Sequence, residues 1–587
     1  MGADGGQLDH RFPGATMLRC ALLCIFANGL WAETIAIDAA ADRHAISPLI
    51  YGVAFGSPAA LTDLGSPLNR SGGNATTRYN WQQNCSNRGN DWYFQSVPEG
   101  AATAGLVVDT FIADSRAGGA QPMVTIPIIG WTGVLTAGRD KRCSFSIAKY
   151  GPQQGNDAQW FPDAGNGVKT DGSLVTGNDP TDANAAVTVS FVQDWLGHLT
   201  GRWGAAAAGG VRYFILDNEW ALWSSTHRDV HPAGVTLDEM WQKAGTHAAA
   251  IRAADAGTVI CGPEEWGWTG YLYSGADAIY AAAHNWQQPF PDRASHGNLD
   301  AMPWLLDQFK AYEQANGKRV LDVFTLHWYP QSGEFSNDLS DAVKAKRNRS
   351  TRSLWDPNYT DESWVNDKVQ LIPRMKQWVA AHYPGTRVGI TEYSWGADND
   401  ANGATVQADV LGIFGREGLD LATRWVCPET STWAYQAMKL WRNYDGTGSG
   451  FGETSVRATV ANPDAVAAFA ALRQTDGALT VVVINKTAAA ATRSIAVSGF
   501  KAGRAAQVWQ VNAPTGIAHL ADLPVAAGTV TLTAPAGTVT LLVIPPILPV
   551  VQGAFGTASG AAGFQTAADL DGNGRIDADD LTRALHP

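Results

Sequence analysis

Cysteine is scarce in this chain, with six in 587 residues, too few for a disulfide scaffold. Long apolar runs are scarcer still. Beyond the N-terminal region none approaches the roughly 18 residues that a membrane-spanning helix needs. Val539–Val550 is apolar but is broken by Pro545, Pro546 and Pro549. Positive charge is in deficit: 42 Lys and Arg against 55 Asp and Glu give a formal charge of −13. Nucleic acid and anionic membrane surfaces both attract basic patches, so neither is expected as a partner. No internal repeat is visible, which argues against a modular scaffold or adhesion protein. Charged residues are only 17% of the chain and hydrophobic residues 45%, which excludes global disorder.

What is abundant is tryptophan, 23 residues, and glycine, 62 residues. Tryptophan at this frequency fits aromatic platforms for ring-shaped ligands, or simply a large core. At the N-terminus, Met17-Leu-Arg19-Cys20-Ala-Leu-Leu-Cys24-Ile-Phe-Ala27 places one basic residue before a short apolar run, followed by small residues. This reads as an export signal over residues 1–32, with Met17 as the expected start and secretion as the destination. Cleavage near Ala32 leaves Cys85, Cys143, Cys261 and Cys427, enough for one or two disulfides; Cys85–Cys143 is the expected pair, since both lie in polar, loop-like sequence.

From Leu49 to Tyr444, short apolar runs alternate with longer helical stretches. The strands expected are Leu49–Phe55, Leu68–Gly72, Pro122–Ile129, Val211–Glu219, Thr258–Pro263, Val323–Tyr329, Arg387–Glu392 and Leu421–Val426. Continuous apolar runs of this length suit parallel strands buried on both faces. Eight of them with intervening helices, such as Ala185–Arg202, Leu237–Ala254 and Asn366–His382, indicate an α/β fold, a (β/α)8 TIM-like barrel over residues 49–451. Segments 130–184 and 264–322 are long and rich in Gly, Asn, Asp and aromatics, and are expected to build the rim of a cleft. Residues 452–546 change character, with short β-branched runs punctuated by Gly and Pro, as in a β-sandwich. Residues 33–48 would add an N-terminal strand to it, and 547–568 read as a linker.

Two carboxylates close strands in this pattern. Val211-Arg-Tyr-Phe-Ile-Leu216 runs into Asp217-Asn218-Glu219, and Arg387-Val-Gly-Ile-Thr391 runs into Glu392-Tyr393. Residues at the C-terminal ends of barrel strands face the active site. These two Glu are 173 positions apart, so only barrel closure brings them together. A facing carboxyl pair is the minimum equipment for glycoside hydrolysis. Aromatic neighbours Trp220, Trp223, Trp328 and Trp395 add weight, although a strand-end Glu also serves in structural ion pairs.

The stretch Asp217-Asn-Glu-Trp-Ala-Leu-Trp-Ser-Ser-Thr-His227-Arg-Asp-Val-His231-Pro232 resembles the signature of glycoside hydrolase family 44. So do Arg70-Ser-Gly-Gly-Asn74-Ala-Thr-Thr-Arg78-Tyr-Asn-Trp81, Thr391-Glu-Tyr393 and Asn443-Tyr-Asp-Gly446, in order along the chain. The resemblance implies a retaining endo-β-1,4-glucanase acting on plant cell-wall glucans such as xyloglucan, as a monomer and with no cofactor for catalysis. It assigns Glu219 as acid/base and Glu392 as nucleophile. Asn218, Arg70 and Asn74 are then expected at the substrate, Asn218 on the 2-hydroxyl. Tyr329 is placed to bond the nucleophile, and His327 beside it is either a site residue or a satisfied core imidazole. Trp223, Trp328, Trp395 and Trp425 are expected to line the sugar site, with core packing an equal account of any one of them. A barrel mannanase or xylanase is the alternative enzyme, and a non-catalytic polysaccharide binder the alternative class. The sequence departs from the family at Trp220, where Pro is usual, and at Ser71, where an aromatic is common.

Two metal sites are expected. Asp569-Leu-Asp571-Gly-Asn573-Gly574-Arg575-Ile-Asp577-Ala-Asp-Asp580 sets oxygen ligands in EF-hand register, with a turn glycine and the Arg575 carbonyl between them. Asp at its last position resembles the calcium loops of dockerin modules. Residues 569–587 thus read as an EF-hand-like segment holding structural calcium, and a single loop leaves a cohesin-type partner doubtful. The second site is Gly177-Asn-Asp179-Pro-Thr-Asp182, which resembles a family calcium segment but is also ordinary turn chemistry.

Overall fold

The computed structural model describes residues 33–566 and 568–585; the expected export signal at 1–32 lies outside them. Eight parallel strands close a barrel in the order in which they occur along the chain. They are β1 (Gly52–Ala54), β2 (Leu68–Ser71), β3 (Gln121–Ile126), β4 (Tyr213–Leu216), β5 (Val259–Glu265), β6 (Val323–Trp328), β7 (Arg387–Tyr393) and β8 (Leu421–Arg424). Each falls on an expected apolar run. Alternation along β4 shows why these runs are continuous. Tyr213 and Ile215 point inward to a plug with Leu68, Met123, Val259, Cys261, Val323 and Leu421. Phe214 and Leu216 point outward under the helices. Both faces of β4 are therefore buried, and its four residues are all apolar or aromatic.

Helix Leu237–Ala254 matches its expected bounds, capped by Thr236 accepting from the Glu239 N–H. Much of segment 264–322, the expected rim, is helical, with Gly275–Ala283 and Ala301–Asn316 the longest pieces. Alanine-rich sequence there favours helix over loop.

The C-terminal strands form one ten-stranded sheet that wraps on itself, because Glu33–Asp38 pairs parallel with Ala491–Ser498 and antiparallel with Thr454–Thr459. Ile35, Val481, Val508, Val530 and Leu542 meet inside the fold. Two strands escaped the sequence reading. Val466–Leu472 is mostly alanine and carries little β propensity, and Gly516–Ala526 lies largely exposed without clean alternation. Helix Ala401–Arg416 lies between barrel and sheet, buried from Asn402 through Gly415. Gly412 permits this approach: a Cβ there would lie 2.2 Å from the Phe469 ring.

Residues 547–568 are not a free linker. Helix Ile547–Ala554 packs on the tail through Ile547, Val551 and Ala554 against Ala568, Ile576 and Ala584, making a small separate core. Ile576 also exchanges backbone bonds with Gly556 and Thr557 at 2.7 and 2.9 Å. Among the described residues, no helix is long and apolar enough to cross a membrane. Cys85 and Cys143 are both free, against the disulfide expectation. Their buried thiols face separate carbonyl oxygens, those of Gly133 and Asp163.

Candidate active site

The chain leaves β4 through two residues in the left-handed region, Asp217 (φ 64°) and Glu219 (φ 46°). Neither is glycine, so other contacts must hold this strained backbone. Asp217 is fully buried and accepts from Thr77 Oγ1 (2.5 Å), from the Asn218 N–H (2.8 Å) and from the N–H groups of Ile128 (2.5 Å) and Ile129 (3.2 Å). Burial raises its carboxyl to about 6. The Glu219 N–H donates to the Glu264 carbonyl at 3.0 Å. Trp220, in place of the usual Pro, is buried and donates its indole N–H to the Leu216 carbonyl at 2.9 Å, fastening the turn to the strand.

Glu219, His327 and Glu392 each bring one ligand-type atom within 4.8 Å of the others. Glu392, on β7, accepts from Arg70 Nη1 at 2.6 Å on Oε1 and from the Tyr329 hydroxyl at 3.0 Å on Oε2. Two strong donors of this kind suit an anionic carboxylate. Glu219 is different. Burial raises its pKa, the His327 hydrogen bond opposes the rise, and the charge on Glu392 reinforces it.

His327, on β6, sits between two carboxylates: Nδ1 is 2.9 Å from Glu219 Oε1, and Nε2 is 3.1 Å from Glu264 Oε2. Burial opposes its charge, but Glu392, Glu219 and Glu264 together raise it to about 9, so the ring carries two protons at neutral pH. Glu264, at the end of β5, also accepts from Arg70 Nη2 at 3.1 Å and from the Thr325 hydroxyl. Its burial is outweighed by His327 and Arg70, which hold it below the usual carboxylate range. Two buried cations, Arg70 and His327, thus face two anions, Glu264 and Glu392. The charges balance when Glu219 holds a proton, the state a general acid needs.

Glu264 was missed in the sequence because Pro263 reads as a strand end, yet it repeats the strand-end carboxylate pattern that marked Glu219 and Glu392. Its neighbour Glu265 was missed too; burial pushes that carboxyl up to about 8.

Asn218 Nδ2 donates to Asn74 Oδ1 at 3.0 Å, and Asn74 Nδ2 donates to Asp91 Oδ2 at 3.1 Å. A cavity of about 370 Å³ opens beside this chain, lined by Phe55, Ser71, Asn74, Phe111 and Trp425. Of the four expected aromatic contacts, only Trp425 reaches it. Trp223, Trp328 and Trp395 are 1%, 1% and 3% exposed and pack in the core, so their rings offer no face to a ligand. Trp328 directly follows His327 on β6, and the alternation of β-strand side chains turns its ring away from the site.

Asp179 and Asp182 do not assemble as a calcium site. Lys149 Nζ lies 2.6 Å from Asp182 Oδ1 and 4.0 Å from Asp179 Oδ2, so an ammonium takes the cation's place. Tyr150 also donates to Asp182 (2.6 Å), and Asp179 caps the Thr181 N–H (2.9 Å). In the tail, by contrast, Asp569, Asp571 and Asp580 bring carboxylate oxygens within 4.8 Å of one another. Asn573 and Asp577 each accept a neighbouring backbone N–H, from Arg575 (2.8 Å) and Asp579 (3.0 Å). An all-oxygen donor set of this kind fits a hard cation such as calcium.

A family model described as glycoside hydrolase family 44 matches residues 85–332. A Paenibacillus polymyxa xyloglucanase from glycoside hydrolase family 44 superposes with a TM-score of 0.72 at 30% identity, covering 87% of this chain and 99% of that one. The chain belongs to glycoside hydrolase family 44. CelM2, a bifunctional glucanase-xylanase from a metagenome library, is more similar: 57% identity, a TM-score of 0.87, and coverage of 88% of this chain and 99% of that chain. Beta-mannanase/endoglucanase A of Caldicellulosiruptor saccharolyticus is 32% identical over 486 residues, 77% of this family 44 chain but only 34% of that relative's length.

Proposed function

We propose that this family 44 chain is a secreted, retaining, endo-acting glycoside hydrolase that cleaves β-1,4-glucan backbones, cellulose-type glucan and xyloglucan, by double displacement. The observation that carries it is the carboxylate pair, with an oxygen of Glu219 within 4.8 Å of one of Glu392. That spacing leaves no room for the intervening water of an inverting enzyme and suits direct attack. Glu392 attacks the anomeric carbon while Glu219 gives its proton to the departing glycosidic oxygen. The resulting glycosyl ester is then hydrolysed by water, from which Glu219 takes a proton. Asn218, held by Asn74 and Arg70, keeps an amide hydrogen free for the 2-hydroxyl, a bond that strengthens in the transition state.

Trapping with a 2-deoxy-2-fluoro cello-oligosaccharide carrying a good leaving group tests this reading. Mass spectrometry should find the sugar on Glu392, and NMR should show the β-anomer released first. A first-formed α-anomer would overturn the retaining assignment. Xylan is a second substrate worth assay, because CelM2 at 57% identity is described as a glucanase-xylanase. In the tail, Asp569, Asp571, Asn573, Asp577 and Asp580, with the Arg575 carbonyl, would hold one structural calcium ion as a dockerin-like loop.

A further inference from the structure

Asp217 places a buried carboxylate beside the site where double displacement uses none. Both of its oxygens are saturated: Oδ1 takes Thr77 Oγ1 and the Asn218 N–H, and Oδ2 takes the N–H groups of Ile128 and Ile129. Four donors fill the acceptor capacity of a carboxylate, so Asp217 has nothing left to offer a substrate. The donors come from three strand ends. Ile128 and Ile129 follow β3, Asn218 follows β4, and Thr77 lies in the short helical turn Asn74–Arg78 that follows β2. That turn begins with Asn74, whose Oδ1 receives the Asn218 amide at 3.0 Å. Asp217 therefore acts on Asn218 twice, through its backbone N–H and through the turn that orients its side chain. Buried Trp223 fixes the same residue from the other end, donating its indole N–H to the Asn218 carbonyl at 3.1 Å.

We infer that Asp217 is a positioning residue for the reaction, a carboxylate that aims the Asn218 amide at the 2-hydroxyl of the sugar under attack. The inference rests on the retaining glucanase reading and adds a residue to it. A carboxylate suits the task because it accepts on both oxygens and donates on neither, and every group facing it here is a donor. A carboxamide of the same shape would set its NH2 against two of those donors, and one strand end would come loose. Burying a charge is costly, and fastening a turn alone calls for no more than a neutral acceptor. What the charge adds is bond strength, since hydrogen bonds to an ionised acceptor are roughly twice as strong as neutral ones. Strength of this kind matters where a donor must keep its aim while the sugar ring flattens toward the transition state.

The test compares Asp217→Asn with the parent on two substrates. One is 2,4-dinitrophenyl β-cellobioside; the other is the same glycoside without the 2-hydroxyl on the sugar that bears the aryl group. Both release the aryl group without help from an acid, so Glu219 drops out of the comparison. We expect kcat/KM to fall roughly thirtyfold or more on the first and to stay within about threefold on the second, where the contact that Asp217 serves is missing. Thr77→Val, which removes one donor and keeps the shape, should give the same selective loss at smaller size, and it decides alone if Asp217→Asn does not fold. Equal losses on both substrates would reduce Asp217 to a structural role, and full activity of both variants on the first would remove it from the reaction. A loss confined to cellohexaose, whose leaving group needs a proton, would tie Asp217 to Glu219 instead and overturn the inference. A parent inactive on both the 2-hydroxy glycoside and cellohexaose would overturn the glucanase reading itself.

Discussion

Nδ1 of His327 and Oε1 of Glu219 are 2.9 Å apart at the centre of the barrel mouth. This pair links an imidazole that three carboxylates hold charged against its burial to an acid whose pKa burial raises. Neither group titrates alone, and the apparent constants belong to the pair. Its remaining nitrogen rests on Glu264, so that buried carboxylate sets the charge state of both.

Replacing Glu264 with Gln should therefore reshape the pH profile. Loss of the negative charge lowers the pKa of His327 from about 9. The alkaline limb of kcat/KM, which reports the coupled pair, should move toward lower pH, by about 1 unit for a charge at hydrogen-bond distance. A loss of rate with an unmoved limb would limit Glu264 to a packing role.

Glu392→Gln should abolish turnover, by at least ~10³-fold, because the covalent step has no substitute nucleophile. Binding of a soluble glucan, followed by calorimetry, should persist, since the amide preserves shape.

Glu219→Ala should lose activity on natural glucan far more than on substrates with activated leaving groups, which depart without a proton. Added azide should restore turnover by attacking the glycosyl ester in the vacated space. Identical losses on both substrate types would remove Glu219 from the acid role.

Glu265 offers a stability measurement independent of catalysis. Its folded constant is about 8 against an ordinary 4.5, because burial disfavours the charge. The folded state therefore binds more protons than the unfolded chain between those values, and stability falls as pH rises through that window, by about 1.4 kcal/mol per unit. Glu265→Gln should flatten this slope, as read from urea unfolding at pH 5 and pH 8.

For the tail, calorimetry on the full chain should detect one calcium ion, and Asp569→Ala with Asp580→Ala should remove it. Ending the chain at Pro546, before helix Ile547–Ala554, should leave hydrolysis of soluble glucan unchanged. No heat at millimolar calcium in the parent would eliminate the site.

Much of this architecture was legible before any coordinates. Continuous apolar runs marked several of the eight barrel strands, because burial on both faces of a parallel strand favours them. The carboxylates closing β4 and β7 stood out because the barrel interior ends where they begin. The EF-hand spacing of Asp569 to Asp580 is likewise a local property of the chain.

Tertiary structure alone decided the rest. The aromatic content could not separate surface rings from core: Trp223, Trp328 and Trp395 are buried, while Trp92, Trp160, Trp286 and Trp364 are exposed. Lys149 against Asp182, and Arg70 and His327 against Glu264, are pairings that no local pattern records. Local pattern records how a segment meets water on its own two faces. What a buried charge or ring does depends on the group set opposite it, and in a closed barrel that group arrives from a strand far off in sequence.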